Sequence, residues 1–189
     1  MDKYYESETF ERIDFTEKYF EKGEYEDCQF ESCNLNHVNL SGCRFSECIF
    51  ENCDLSMIQL TETVFQDCRF IGCKMIGILF ENWNKFSSNL QFKQCILNSS
   101  SFHKLQMAKT KFENCQLKEI DFSETNLKEA VFEQSDLSGA IFRNTNLEKA
   151  DFRSAENYAF KLEENKLKNA QFSMFELKHL LTIYGMKVD

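Results

Sequence analysis

The 189-residue chain has no proline and only six glycines. Tight turns ordinarily draw on both, because proline presets φ and glycine tolerates positive φ, so the turns of this chain must rest on another chemistry. There is one tryptophan, and the three histidines, His37, His103 and His179, lie far apart. No nucleophile motif or glycine-rich phosphate loop accompanies them, so the chain reads as a non-enzyme with no catalytic residue and no cofactor. Eighteen apolar residues never follow one another and the first residues form no signal peptide, so a cytoplasmic protein without membrane contact is expected. In that reducing compartment nine cysteines are no argument for disulfides.

What the chain does have is a period of five. Stepping from Phe10 gives Phe15, Phe20, Tyr25, Phe30, Leu35, Leu40, Phe45, Phe50, Leu55, Leu60, Phe65, Phe70, Met75 and Phe80, all apolar. A second series runs from Phe92 through Leu97, Phe102, Met107, Phe112, Leu117, Phe122, Leu127, Phe132, Leu137, Phe142 and Leu147 to Phe152. Neither the 3.6-residue helical period nor the two-residue strand period produces this record. With these residues called centres, the position two before each centre from Phe30 onward holds Cys, Ala, Ser or Thr in 18 of 24 cases, and never a charge. The other three positions collect Glu, Asp, Lys, Arg, Asn and Gln. Each pentad thus points one large and one small side chain inward.

All nine cysteines fall in the small inward slot. Cys28, Cys33, Cys43, Cys48 and Cys53, with the rings of Phe30, Phe50, Phe70, Phe112 and Phe132, are therefore predicted to be core, the cysteines acting as small buried hydrophobes. Zinc and iron–sulfur sites need close spacings converging on one point, whereas Cys-x4-Cys along a wall diverges, so no metal is expected. From residue 30 the centres run Phe, Leu, Leu, Phe and repeat at residue 50, so twenty residues, or four pentads, close one coil. The series predicts seven coils, about 34 Å of rod at a strand spacing of about 4.8 Å, with a filled interior.

The pentads "CDLSM", "TNLKE", "SDLSG", "TNLEK" and "ADFRS" resemble the A(D/N)Lxx signature of pentapeptide-repeat proteins. The resemblance covers about residues 10 to 152 and implies an all-β fold, a right-handed quadrilateral β-helix, with a C-terminal α-helical cap. The expected division is an acidic cap and degraded first coil over 1–27, the β-helix over 28–152 with a break near 82–91, and a C-terminal cap and helix over 153–189. The first coil has Glu8, Ile13, Lys18 and Gly23 in its small slots, as suits an end cap. In the break two extra residues interrupt the series and Trp83 stands in a small slot too narrow for it; a corner bulge is expected, and a protrusion for a partner is the alternative. Ser173 with Glu176 forms a capping-box pattern and Gly185 a helix stop. Phe175, Leu177, Leu180, Leu181, Ile183 and Tyr184 exceed one stripe, and similarity to family members with a C-terminal dimerisation helix implies a homodimer.

Net charge is −9. Residues 1–31 carry −7, 32–81 carry −3 and 119–151 carry −5, whereas 82–118 carry +5 through Lys85, Lys93, Lys104, Lys109, Lys111 and Lys118. The acidity and the tail resemble the Qnr and MfpA-like fluoroquinolone-resistance members. That resemblance implies a DNA mimic contacting a protein partner, DNA gyrase or topoisomerase IV, with no direct nucleic acid binding. The alternative is a scaffold for an unidentified partner, which the lysine belt favours, since a uniform DNA imitation does not need it.

Overall fold

The structure, a computed structural model, describes residues 3–84 and 89–187, apart from the side chain of His179. It is a parallel four-sided β-solenoid. Wall A begins with strands Lys3–Glu6, Gly23–Glu26, Arg44–Ser46 and Val64–Gln66, and continues above the break as bridges linking Gln106, Asn126, Asn146 and Lys166. Wall B is a nine-stranded ladder from Thr9–Glu11 to Gln171–Phe172, with Phe10, Phe30, Phe50, Phe70, Phe92, Phe112, Phe132, Phe152 and Phe172 in one file. Wall C is an unbroken series of bridges from Asp14 to Glu156, and wall D carries the centres Phe20, Leu40, Leu60, Phe80, Phe102, Phe122 and Phe142.

The corners answer the lack of proline and glycine. In ten consecutive pentads the residue two after the centre is left-handed, with φ between 53° and 81°: Ser32, His37, Gly42, Glu47, Asn52, Met57, Glu62, Asp67, Gly72 and Gly77. For a non-glycine residue this conformation costs about 1 kcal/mol, so something must hold it. Where a turn is tight the next small-slot amide closes it, as Val38 N–H does on Leu35 O at 3.0 Å, with His37 supplying the positive φ a type II turn needs. The Asp or Asn before the centre braces the same turn from its side chain. Asp54 Oδ1 accepts from Ser56 N–H at 2.9 Å, and Asp136 Oδ1 from Ser138 N–H at 3.0 Å.

Inside, centre stacks on centre. Along wall B the Phe92–Phe112 and Phe112–Phe132 centroids are 5.2 and 5.4 Å apart with rings almost parallel, within the offset-stacking range. The small slot does more than fit. Its side chain donates to a centre carbonyl of the preceding coil: Thr63 to Leu40 at 2.8 Å, Thr125 to Phe102 at 2.7 Å, and Cys48 Sγ to Tyr25 at 3.3 Å. Cysteine is thus a small hydrophobe with a weak donor, interchangeable with Thr and Ser for both reasons.

Two expectations change. The nine strands of wall B make eight coil-to-coil steps rather than seven coils, because stacking begins at Tyr5 on Tyr25 and runs past Phe152 to Phe172. Trp83 does fit: it is 7% exposed, edge-on to Phe80 at 5.2 Å and close to Phe65 and Phe102. The period would put Lys85 at that level as the wall A centre, and the indole supplies the missing ring from the slot before it. Of the expected bulge or protrusion, residues 85–88 lie outside the described residues. In the first coil Glu8 and Lys18 point to solvent, so neither charge enters the core.

Candidate interaction surfaces

The residues predicted as core lie on different walls. Cys28 and Cys48 line wall B, Cys33 and Cys53 wall C, Cys43 wall A, while Phe30, Phe50, Phe70, Phe112 and Phe132 form the wall B file; each is at most 2% exposed. Burial pushes the Cys28 thiol up and the Cys68 thiol well above its ordinary range, which keeps them protonated and poor nucleophiles. Among the described residues no group of three or more His, Cys, Asp or Glu could hold a metal ion, and no helix is long and apolar enough to cross a membrane.

The C-terminal helix, Met174–Thr182, is capped by Ser173, whose Oγ accepts from Phe175 N–H at 3.1 Å and Glu176 N–H at 3.4 Å. Glu176 reaches across to Asn157 N–H at 3.1 Å and so ties the helix to the last coil. The six residues expected at a dimer contact divide. Leu180 is fully buried inside the chain, Leu177 and Leu181 are half-buried, and Phe175, Ile183 and Tyr184 are exposed. Met174 and Met186 join the exposed set at 87% and 53%, giving an apolar surface larger than the predicted one.

Charge is organised by coil stacking. On wall B, Glu11, Glu31 and Glu51 stand in register on successive strands. At the corner between walls A and B, Asp27, Glu47 and Asp67 occupy the same left-handed position on successive coils. Higher on wall B the ladder turns cationic, with Arg69 in register with Gln91 and Lys111, and Lys93 between Ile71 and Glu113. The lysine belt is partly neutralised from the next coil, since Lys104 meets Glu124 at 3.7 Å and Lys118 meets Asp136 at 3.2 Å. Among the described residues Arg69, Lys93 and Lys111 have no acid within ion-pair distance. The sequence hid this arrangement because the acids of the two columns hold different positions within the pentad.

A four-sided parallel solenoid with a small donor, a large centre and a left-handed corner in each pentad defines the class. The chain belongs to the pentapeptide-repeat family: the pentapeptide repeat region profile matches residues 43–122 and 106–181. No curated protein matches the sequence. Among solved structures, a trypsin-treated variant of QnrB1, a plasmid-mediated fluoroquinolone resistance protein, matches at TM-score 0.58 and 21% identity, covering 99% of this chain and 92% of that one. HetL, a pentapeptide repeat protein involved in heterocyst differentiation regulation from the cyanobacterium Nostoc, matches at TM-score 0.56 and 15% identity, covering 90% and 86%. At such identities the likeness is one of fold.

Proposed function

We propose that the chain works by protein–protein contact and that its partner is a type II topoisomerase, DNA gyrase or topoisomerase IV, approached as an anionic rod in place of duplex DNA. The carboxylate columns of the A–B edge carry this reading. Duplex DNA presents one negative charge per roughly 1.7 Å of axis; two columns repeating at about 4.8 Å present one per roughly 2.4 Å. A basic channel built for phosphates attracts such an edge over a long range. The apolar surface of Met174, Phe175, Ile183 and Tyr184 belongs to the same reading as a two-fold contact between copies, which would present two such edges. A cytoplasmic location goes with it.

The test is supercoiling by purified gyrase, with and without a quinolone. A change that Glu31→Lys with Glu51→Lys abolishes is expected; no effect at tens of micromolar would remove the reading. A second reading, a scaffold for an unidentified protein, is favoured by Arg69, Lys93 and Lys111, which interrupt the acidic surface. Light scattering at micromolar concentration checks the dimer separately, and a monomer there would contradict it.

A further inference from the structure

Wall D opens near its C-terminal end. In a closed ladder each centre amide donates to the next coil and each small-slot carbonyl accepts from it, as Phe122 N–H does to Ile141 O at 2.9 Å and Ile120 O from Ile141 N–H at 2.8 Å. One coil later this stops. Neither Phe142 N–H nor Ala140 C=O has a hydrogen-bond partner among the described residues. The residue that would serve both, Lys161, instead gives its carbonyl to Asn165 Nδ2 at 2.8 Å.

The cause is a bulky residue in a small slot. Phe160 stands where the coil below has Ala140; its ring is 4% exposed and 4.9 Å from that of Phe142. It fills the interior that Leu162 would take, and Leu162 is left half-buried at the start of the 3-10 turn Leu162–Glu164. An open groove of about 600 Å³ results, lined by Ile141, Arg143, Phe160, Lys161, Glu164 and Ile183. Ile141 and Ile183, 37% and 40% exposed, give it apolar flanks, while polar groups make up the larger part of its lining. Lys161 pairs with Glu164 at 3.0 Å, whereas Arg143 has no acid partner among the described residues. The Lys161 ammonium is raised first by its hydrogen bond to Glu164, and Arg143 is near enough to act in the opposite sense. The groove therefore holds a strand edge with one donor and one acceptor at ladder spacing, apolar flanks and one cation to spare.

We propose that this groove receives an extended acidic peptide of a partner protein, added as a strand beside Ile141. One guest residue donates its N–H to Ala140 O and accepts from Phe142 N–H, its carboxylate side chain faces outward to Arg143, and its apolar neighbours pack on Phe160 and Ile183. Strand addition of this kind takes affinity from main-chain bonds and specificity from the alternate side chains, and it pairs backbone groups that are costly to leave unpaired. It does not draw on the carboxylate columns of the A–B edge, and of the two-fold contact it shares only Ile183, so the loss expected of Arg143→Glu is separate from the topoisomerase reading.

The experiment follows amide exchange and 15N chemical shifts of the full chain while adding an end-blocked heptapeptide of alternating valine and glutamate. Without peptide the Phe142 amide should exchange at least a hundredfold faster than that of Phe122, and with saturating peptide it should slow at least tenfold. Arg143→Glu should weaken binding at least tenfold, and Ile183→Asp should do so without altering the exchange of Phe122. A Phe142 amide as protected as Phe122 in the free chain, no saturable shift at Phe142, or equal binding of the valine–lysine counterpart would each overturn the proposal.

Discussion

Walls B and D are built from the same pentad, yet wall B is hydrogen-bonded from Thr9 to Phe172 while wall D has no bridge between Gln59 and Leu79 or between Ile141 and Lys161. The centres alone do not explain this: those of wall B are all Phe and those of wall D mix Phe with Leu40 and Leu60, yet Asn39 still bridges Gln59 beside those two leucines. The small slots differ more: on wall B they hold Cys, Thr or Ala at almost every level, and on wall D they hold Lys18, Val38, Ile58, Ile78, Ser100, Ile120, Ala140 and Phe160. Bulk in the slot accompanies both openings, at Ile58 with Ile78 and at Phe160, but does not act alone, since Asn39 bridges Gln59 beside Val38 and Ile58 and Asp121 bridges Ile141 beside Ile120. The lesson is a division of labour: the ring file of wall B holds the rod, and irregular slots on wall D expose strand edges.

The largest expected effect breaks the stronger wall. Phe112→Ala removes a fully buried ring stacked on both sides and should cost about 3–5 kcal/mol in urea denaturation. The same change on wall D, Phe160→Ala, should cost about 2 kcal/mol less, because Leu162 can then enter the core and Lys161 can close the ladder; a matching loss for the two would dissolve the distinction. Next come the slot donors. Ser100 on wall D donates to Met75 O at 2.8 Å and accepts from Ile78 N–H at 2.9 Å, so Ser100→Ala orphans two buried backbone groups and should cost about 1–3 kcal/mol. Cys68→Ala on wall B removes two weak thiol contacts, to Phe45 O at 3.5 Å and to Gln66 O at 3.4 Å, and should cost less than Ser100→Ala in the same denaturation series.

A milder probe is pH. Burial pushes the Asp136 carboxyl up, but hydrogen bonds from Ser138 and Asn157 and the pairing with Lys118 outweigh it and hold it at about 2. The folded value lies below the unfolded one of about 3.9. The stability it contributes is therefore full above pH ~4 and lost as pH falls through about 2. Asp136→Asn, which keeps an acceptor for the corner, should flatten the melting-temperature loss across that window. The smallest effect belongs to the surface of wall D: Lys104→Ala breaks an exposed pair at 3.7 Å and should change stability by less than about 0.5 kcal/mol.

Much of this was legible beforehand because a period of five admits one assignment of inward slots, and Phe30, Phe112 and Cys48 followed from it. The corners were not, since a left-handed residue pointing into water can be His37, Met57 or Lys104 alike. The last coil was hidden because Asn157 occupies a centre, with Tyr158 and Phe160 taking over the interior. Trp83 misled for the converse reason: its slot is small only if the neighbouring centre is a ring. The open strand edge at Ala140 and Phe142 could have been suspected from Phe160, the largest side chain in any small slot of wall D, but only the structure reveals two backbone groups without a partner among the described residues.

Stacking by twenties has a consequence for how such a rod can change over generations. Gain or loss of one whole coil would lengthen or shorten it by about 4.8 Å and leave its far end facing the same way. A single pentad added or removed would instead swing everything beyond by a quarter turn, carrying the terminal helix to an adjacent side. Reach and aim are thus separately adjustable by small in-frame duplications, with no new core to invent.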